Sequence, residues 1–228
     1  MPDIAVIIPA YNEEGAIAKV IREIPKDIVN EIIVVDNNSN DNTGKVALSK
    51  GAIVIDEPKQ GYGQACLKGI EYLKSKSQQP DIVVFMDGDH SDYPSELCTL
   101  VKPIIENGMD MVIGSRTLGI AEKGSLMPQQ IFGNRLATTL IRLIYGITYT
   151  DLGPFRAIKF SSLVELNMQD TSYGWTTEMQ IKAAKQKLNI SEVPVHYRKR
   201  IGTSKISGTI KGSMSAGYGI VETILKYF

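Results

Sequence analysis

Asp81-Ile-Val-Val-Phe-Met-Asp87-Gly-Asp89-His-Ser-Asp92 is the stretch on which the reading of this chain turns. A short apolar run of strand-forming residues delivers two carboxylates, one residue apart, where the strand must stop. Side chains alternate faces along a strand, so Asp87 and Asp89 share a side, while Gly88 lets backbone or ligand approach closely. Two hard oxygen donors at a strand end suit Mg²⁺ or Mn²⁺, ions that usually share their shell with water and a diphosphate. The stretch therefore points to chemistry on a nucleotide diphosphate. Asp92 reads as a helix-entry or loop residue and His90 as a solvated neighbour.

Around it, strands and helices alternate. Strands are expected at Ile4 to Pro9, Glu31 to Asp36, Ala52 to Asp56, Ile82 to Met86 and Met111 to Ser115. A helix should open at Tyr11-Asn12-Glu13-Glu14 with Asn12 as its N-cap. Others should run to Ser49, from Gly61 to about Leu73, and from Ser95 to Glu106. Strict rotation of this kind implies an α/β fold, a mostly parallel sheet with helices on both faces. Ligands then sit beyond the carboxyl ends of the strands, where the segments after Pro9, Asp36, Asp56 and Met86 converge. The second half reads as a loop from Lys123 to Gln130 and a helix from Ile131 to Tyr145. Beyond the turn-rich segment Asp151 to Arg156 come a helix from Trp175 to Gln186 and a strand from Ile190 to Tyr197. A basic loop from Arg198 to Ser207 and a helical tail complete it.

The chain has 228 residues, 43% hydrophobic and 22% charged, with 25 basic and 25 acidic side chains. That suits a globular domain with a substantial core. A formal net charge of zero argues against a nucleic-acid partner, which usually leaves a basic excess. The two cysteines, Cys66 and Cys98, form neither a metal pattern nor a disulfide framework, and both read as buried thiols of a cytoplasmic protein. No leader is evident at the N-terminus and no apolar run reaches the roughly 20 residues needed to span a bilayer.

Other residues carry candidate chemistry. Asp36, at a strand end, suits a ribose hydroxyl or base N–H, or equally a turn that caps the next helix. Lys59 and the amides around Gly61 to Gly63 could cradle phosphates. Arg116, Arg135, Arg156, Arg198, Arg200 and Lys205 form a cationic set, mostly in loops where a guanidinium can reach an anion. Glu178, in the first turn of a helix, reads as a base, an orienting carboxylate or a dipole partner.

Five ordered motifs resemble family 2 glycosyltransferases. They are Ile7-Ile-Pro-Ala-Tyr-Asn-Glu-Glu14, Val34-Val-Asp-Asn-Asn-Ser-Asn-Asp-Asn-Thr43, Met86-Asp-Gly-Asp89, Gly114-Ser-Arg116 and Gly153-Pro-Phe-Arg156. Within the family, the chain is most similar to the branch of dolichol-phosphate mannose synthase and bacterial polyprenyl-phosphate glycosyltransferases, down to Arg200-Ile-Gly-Thr-Ser-Lys205. The resemblance implies one GT-A domain over 1–228, with a nucleotide-sugar half (1–117) and an acceptor half (118–228). It places Pro9, Ala10, Tyr11, Glu13 and Asp36 against the nucleoside of a GDP- or UDP-sugar, and Asp87 and Asp89 on the metal. It places Arg116, Arg156, Arg200 and Lys205 near the acceptor phosphate or donor diphosphate. Transfer would invert the anomeric centre, with Asp89, Arg116, Arg156, Glu178 and Arg200 as the catalytic group. A lipid-phosphate acceptor implies peripheral contact with a membrane or a membrane partner subunit. A hydroxyl acceptor would require a base, for which Glu178 is the candidate. A non-catalytic sugar-nucleotide-binding subunit and a nucleotidyltransferase are the competing readings. The chain departs from the family's pattern at Asn37, where a second aspartate is common. It departs again at His90-Ser91 and at Met127-Pro-Gln-Gln130, where the branch tends to carry an arginine and a serine.

Overall fold

The computed structural model describes residues 2–202 and 210–227, the last stretch with side chains from 217 onward. One seven-stranded sheet runs through it in the order β3-β2-β1-β4-β6-β5-β7. The strands are β1 (Ile4–Ala10), β2 (Glu31–Asp36), β3 (Ile53–Asp56), β4 (Ile82–Phe85), β5 (Met111–Ser115), β6 (Arg156–Lys159) and β7 (Ile190–Pro194). Neighbours pair in parallel except around β6, which runs antiparallel to both β4 and β5.

Strands β1 and β4 are apolar at every position because both sheet faces are covered. Ala5, Ile7, Val83, Phe85, Met111 and Ile113 point to one side, against α3 (Tyr62–Ser75), α5 (Pro128–Tyr145), α6 (Phe160–Leu166) and α7 (Trp175–Lys185). Ile4, Val6, Ile8, Ile82, Val84 and Val112 point to the other, against α1 (Ile17–Glu23) and α4 (Leu97–Asn107). The period-two alternation thus divides one sheet between two cores. The helices α2 (Thr43–Ser49) and α8 (Ile210–Lys226) complete the order.

The chain builds outward from β1 through β2 to β3, then returns to lay β4 on the opposite side of β1. This is the switch point where open α/β sheets bind ligands. It brings Pro9-Ala10-Tyr11 beside Asp87-Gly88-Asp89. A Cβ on Gly88 would meet Ala10 Cβ at 3.4 Å and the Pro9 carbonyl oxygen at 3.5 Å.

Three local expectations need correction. The helix expected from Asn12 begins only at Ile17, because Asn12 takes a left-handed φ of 54°. Its Oδ1 accepts the Asn40 amide at 2.8 Å, its own amide donates to Ser39 Oγ, and the Glu13 amide donates to Thr43 Oγ1. Residues 12–14 therefore knit onto the loop after β2 before helix winding starts. Cys98 is exposed while Cys66 is buried, since α4 buries Leu97, Leu100, Val101 and Ile104 and turns Cys98 outward. His90 is not a solvated side chain: its Nε2 lies 2.8 Å from Glu23 Oε1.

Trp175 is fully buried and joins the site's supports, with its ring 4.7 Å from Phe85 of β4 and 6.2 Å from Tyr62 of α3. Trp175→Ala should destabilise the fold by about 3–5 kcal/mol, read as a lowered urea midpoint at unchanged m-value.

Candidate active site

Two adjoining cavities, about 330 and 290 Å³, open at the carboxyl ends of β1 and β4. Tyr62, Asp87, Asp89, Tyr173 and Arg200 line both. Pro9, Ala10, Tyr11, Glu13, Asn37 and Gln60 complete much of the first. The second is walled by Arg116, Gln129, Gln130, Asn134 and Tyr197, with Ile220 of α8.

The acid pair sits where the cavities meet. Oδ1 of Asp89 accepts the Ser91 amide at 2.9 Å, and Oδ2 lies 3.2 Å from Nη1 of Arg200. Arg200 also donates from Nη2 to Glu13 Oε1 at 2.9 Å, so one guanidinium joins the loop after β1 to the acid pair. Oδ1 of Asp87 is buried without a hydrogen-bond partner among the described residues, as is Oδ1 of Asp92. Burial first, and then the charges of Asp89 and Asp92, pushes the Asp87 carboxyl well above the carboxylate range. The Asp92 carboxyl is pushed up to about 7, again by burial and then by Asp89. Unsatisfied, mutually repelling oxygens of this kind fit a divalent cation. Among the described residues no cluster of three or more carboxylate, thiol or imidazole ligands could hold one alone. The pair matches an ion that takes its remaining oxygens from a diphosphate and water. Asp92, expected as a plain loop residue, is therefore part of the site's electrostatics; its Oδ2 also accepts the Asp87 amide.

The basic loop after β7 lies along the turn that carries the acids. Ile201 donates to the Asp89 carbonyl and Arg198 to that of Ser91, both at 2.9 Å. The Arg198 guanidinium stacks 4.3 Å over Tyr93, reaches Glu23 Oε2 at 2.6 Å and bonds the His90 carbonyl. This latch fixes Arg200 two residues away. Arg116 is held by a two-pronged ion pair with Asp151, its Nε and Nη2 at 2.8 and 2.7 Å from the two oxygens. Burial opposes its charge, but the Asp151 carboxylate outweighs that and keeps the guanidinium protonated.

Two expected site residues are placed elsewhere. Arg156 is wholly buried beneath the cavities, at the start of β6 opposite Phe85 and Ile113. It donates to the carbonyls of Gly153, Leu152 and Thr176, so its fork is spent on the main chain, and burial lowers its pKa to about 10. Glu178 is also fully buried and lines neither cavity. It accepts the amides of Gln169 and Asp170, the Tyr227 hydroxyl and the Lys182 ammonium at 2.7 Å. Burial raises its pKa, but these donors outweigh that and leave it below the usual range, the opposite of what a base at neutral pH needs.

Of the remaining expectations, Pro9, Ala10, Tyr11, Glu13, Gly88, Arg116 and Arg200 all line the cavities. Asp36 and Lys59 do not. Asp36 Oδ1 accepts the Ser39 amide at 3.0 Å, which is the turn role, and Lys59 is exposed beside the first cavity. Lys205 lies outside the described residues. Asn37, the departure from the family pattern, donates through Nδ2 to the carbonyls of Glu57 and Lys59 and accepts the Gly61 amide at 2.8 Å. An aspartate could not donate to those carbonyls, so this loop requires the amide. Sequence reasoning missed Tyr62, Tyr173 and Tyr197, whose isolated aromatic positions carry no motif.

Residues 5–166 match Glycosyl transferase family 2. The chain belongs to that family. It is 32% identical to the dolichyl-phosphate hexose transferase of Haloferax volcanii over 228 residues, 98% of this chain and 95% of that protein. It is 30% identical to the UDP-N-acetylglucosamine–dolichyl-phosphate N-acetylglucosaminyltransferase of Methanococcus voltae, covering 84% of each. Its fold is that of glucosyl-3-phosphoglycerate synthase from Mycobacterium tuberculosis, crystallised with Mn²⁺, UDP and glucosyl-3-phosphoglycerate. The TM-score is 0.78 at 23% identity, over 99% of this chain and 80% of that one. This glycosyltransferase therefore has a GT-A fold, as the sequence motifs implied.

Arg156→Met and Glu178→Gln should each cost stability, roughly 3 kcal/mol or more, by stranding buried partners, with a lowered melting temperature as the readout. The acids give a signed pH dependence. Folded Asp92 keeps its proton to about pH 7, whereas unfolded aspartate loses it near ~3.9. Stability in chelator should therefore fall as pH rises through that window. Stabilisation by Mn²⁺, measured as a melting-temperature shift, should grow across the same window as protons stop competing for the carboxylates.

Proposed function

We propose that this glycosyltransferase moves a sugar from a nucleotide-diphosphate donor to a polyprenyl- or dolichyl-phosphate, or a related lipid phosphate, with inversion. The observation that carries the proposal is the pair of cavities meeting at Asp87, Asp89 and Arg200. The first cavity is the donor chamber in this reading, with the nucleoside along Pro9 to Tyr11 and Gln60 and the diphosphate toward the acids. The second is the acceptor chamber. The halves 1–117 and 118–228 divide the work accordingly, while Tyr173 and Arg200 from the second half complete the donor side.

A divalent cation, Mg²⁺ or Mn²⁺, held by Asp87 and Asp89 would neutralise charge developing on the departing nucleoside diphosphate. Arg200, already fixed between Glu13 and Asp89, adds positive charge at the same place without reorganising. Arg116 faces the acceptor chamber, oriented by Asp151 and lying 5.1 Å over the Tyr197 ring. There it can align an anionic nucleophile.

The described lining of the chamber favours an anionic acceptor. Among the described residues lining it, the only carboxylates are Asp87 and Asp89, which a divalent cation would engage. With Glu178 enclosed in the core, no further carboxylate among the described residues faces the nucleophile. A phosphate, ionised at neutral pH, needs no base, whereas a neutral hydroxyl or water reacts far more slowly without one.

The chamber's mouth supports a lipid source. Helix α5 supplies Gln129, Gln130, Gly133 and Asn134 to the wall, and leaves Phe132 70% and Leu143 72% exposed. Ile131 and Leu136 are exposed nearby, with Arg135 and Arg142 on the same outer surface. Apolar side chains interleaved with arginines suit the surface of an anionic bilayer. No helix among the described residues is long and apolar enough to cross a membrane. Peripheral contact through α5, on the cytoplasmic face, is the form that we infer.

Asp89→Ala should abolish transfer from UDP- or GDP-sugars to polyprenyl phosphate while the melting temperature stays near wild type. Full activity in excess chelator would overturn the metal assignment. The double variant Phe132→Ser/Leu143→Ser should bind vesicles containing anionic lipid at least about tenfold more weakly, since each exposed side chain forfeits roughly 1.5–3 kcal/mol of burial. Co-sedimentation equal to wild type would remove α5 from the interface.

A further inference from the structure

Tyr173 is half-buried and belongs to the wall of both cavities. It sits on the short segment 169–174 between α6 and α7, whose contacts hold the backbone that carries it. Glu178 accepts the amide of Gln169 at 3.0 and 3.1 Å and that of Asp170 at 2.7 Å. Asp170 turns back to accept the Ser172 amide through Oδ1 at 2.7 Å. On the donor side, the Gly63 and Gln64 amides at the start of α3 donate to the carbonyls of Ser172 and Thr171. The approach is close enough that a Cβ on Gly61 or Gly63 would lie 2.2 or 2.1 Å from a carbonyl oxygen of this segment. On the acceptor side, Thr223 of α8 donates from Oγ1 to Asp170 Oδ2 at 3.3 Å, and Tyr227, the residue just after α8, donates its hydroxyl to Glu178 Oε1 at 2.5 Å. The segment is a wedge between the first turn of α3, which lines the donor chamber, and α8, which lines the acceptor chamber.

We propose that Tyr173 is a positioning residue for the transfer step. Its ring packs the transferred hexose toward the acid pair and keeps water from the anomeric carbon until the acceptor is in place. The C-terminal end of α8 sets that position through the contact of Tyr227, which follows it, with Glu178, so the acceptor side reports to the donor side through the wedge. The inference rests on the donor and acceptor assignment above. Without the ring, water takes the nucleophile's place. Its oxygen bonds the anomeric carbon and its proton goes to solvent. The bond from that carbon to the diphosphate oxygen breaks, its electron pair leaving with the nucleoside diphosphate.

The test measures two products from the full-length chain with Mn²⁺ and the donor that stabilises it: lipid-linked sugar and total nucleoside diphosphate, with and without polyprenyl phosphate. Tyr173→Ala should raise the ratio of hydrolysis to transfer roughly tenfold through misplaced reactants. Tyr173→Phe, which keeps the ring, should restore the wild-type ratio. Tyr227→Phe, which loses only the hydroxyl that reaches Glu178, should shift the ratio in the same direction and provides a second reading if Tyr173→Ala does not fold. A wild-type ratio in Tyr173→Ala at an unchanged melting temperature would overturn the role of the ring. A wild-type ratio in Tyr227→Phe would overturn the link to α8. If wild type releases nucleoside diphosphate but forms no lipid-linked sugar, the acceptor assignment fails instead. Tyr173 is then judged on hydrolysis alone, which Tyr173→Ala must accelerate.

Discussion

The structure is organised around an electrostatic debt that the fold does not settle internally. Asp87, Asp89 and Asp92 are brought together at the end of β4, with two of their oxygens buried and unpartnered among the described residues. One guanidinium, Arg200, is held close enough to Asp89 to offset part of the repulsion. Burying like charges together is costly unless something binds them, and hydrophobic packing on both sheet faces has to supply the surplus that keeps them there. The all-apolar strands β1 and β4, closed by α1 and α4 on one side and by α3 and α7 on the other, are that surplus. A cation and the diphosphate it carries would bring the compensation only when substrate is present.

That constraint explains the supports of the site. Arg200 is useful only if it cannot swing away, and the Arg198–Glu23–Tyr93 latch two residues earlier removes that freedom. Asp151 does the same for Arg116. In each case an acid spends its charge on orienting a base, so the net field in the cavities is set by geometry more than by the number of arginines. The neutral balance of 25 basic and 25 acidic side chains conceals this local order.

The fold was legible because its signals are periodic. Alternating strands and helices, and carboxylates at strand ends, give the sheet and locate the switch point without any coordinates. Motif position alone was a weaker guide to the site. Gly153-Pro-Phe-Arg156 and Glu178 carry charged residues in a pattern suggestive of chemistry, yet both side chains turn inward to hold carbonyls and amides. Charge in a sequence does not say which way a side chain points when β6 runs antiparallel and starts beneath the cavity. The opposite error affected Tyr62 and Tyr173, whose importance depends on long-range packing that no local pattern encodes. Asn12 misled for a local reason: a residue suited to capping a helix is equally suited to a left-handed bend whose side chain binds another loop.

Asn37 bears on how the donor is read. With aspartate, the position after Asp36 would offer a second carboxylate; here the amide is consumed by the carbonyls of Glu57 and Lys59 and by the Gly61 amide. These bonds draw the segment 57–61 against the end of β2 and so place Gln60 and Gly61 in the wall of the first cavity. In the proposed reading, where this cavity takes the nucleoside, Asn37 shapes that side of the site by positioning its neighbours. On that reading, discrimination between nucleobases would fall to groups with hydrogen-bonding capacity facing that cavity, with Gln60 among them, and to the main chain that Asn37 holds in place. A change at Asn37 would alter base preference indirectly, by releasing the loop, which is why a single-residue departure from a family pattern need not transmit a simple exchange of one base for another.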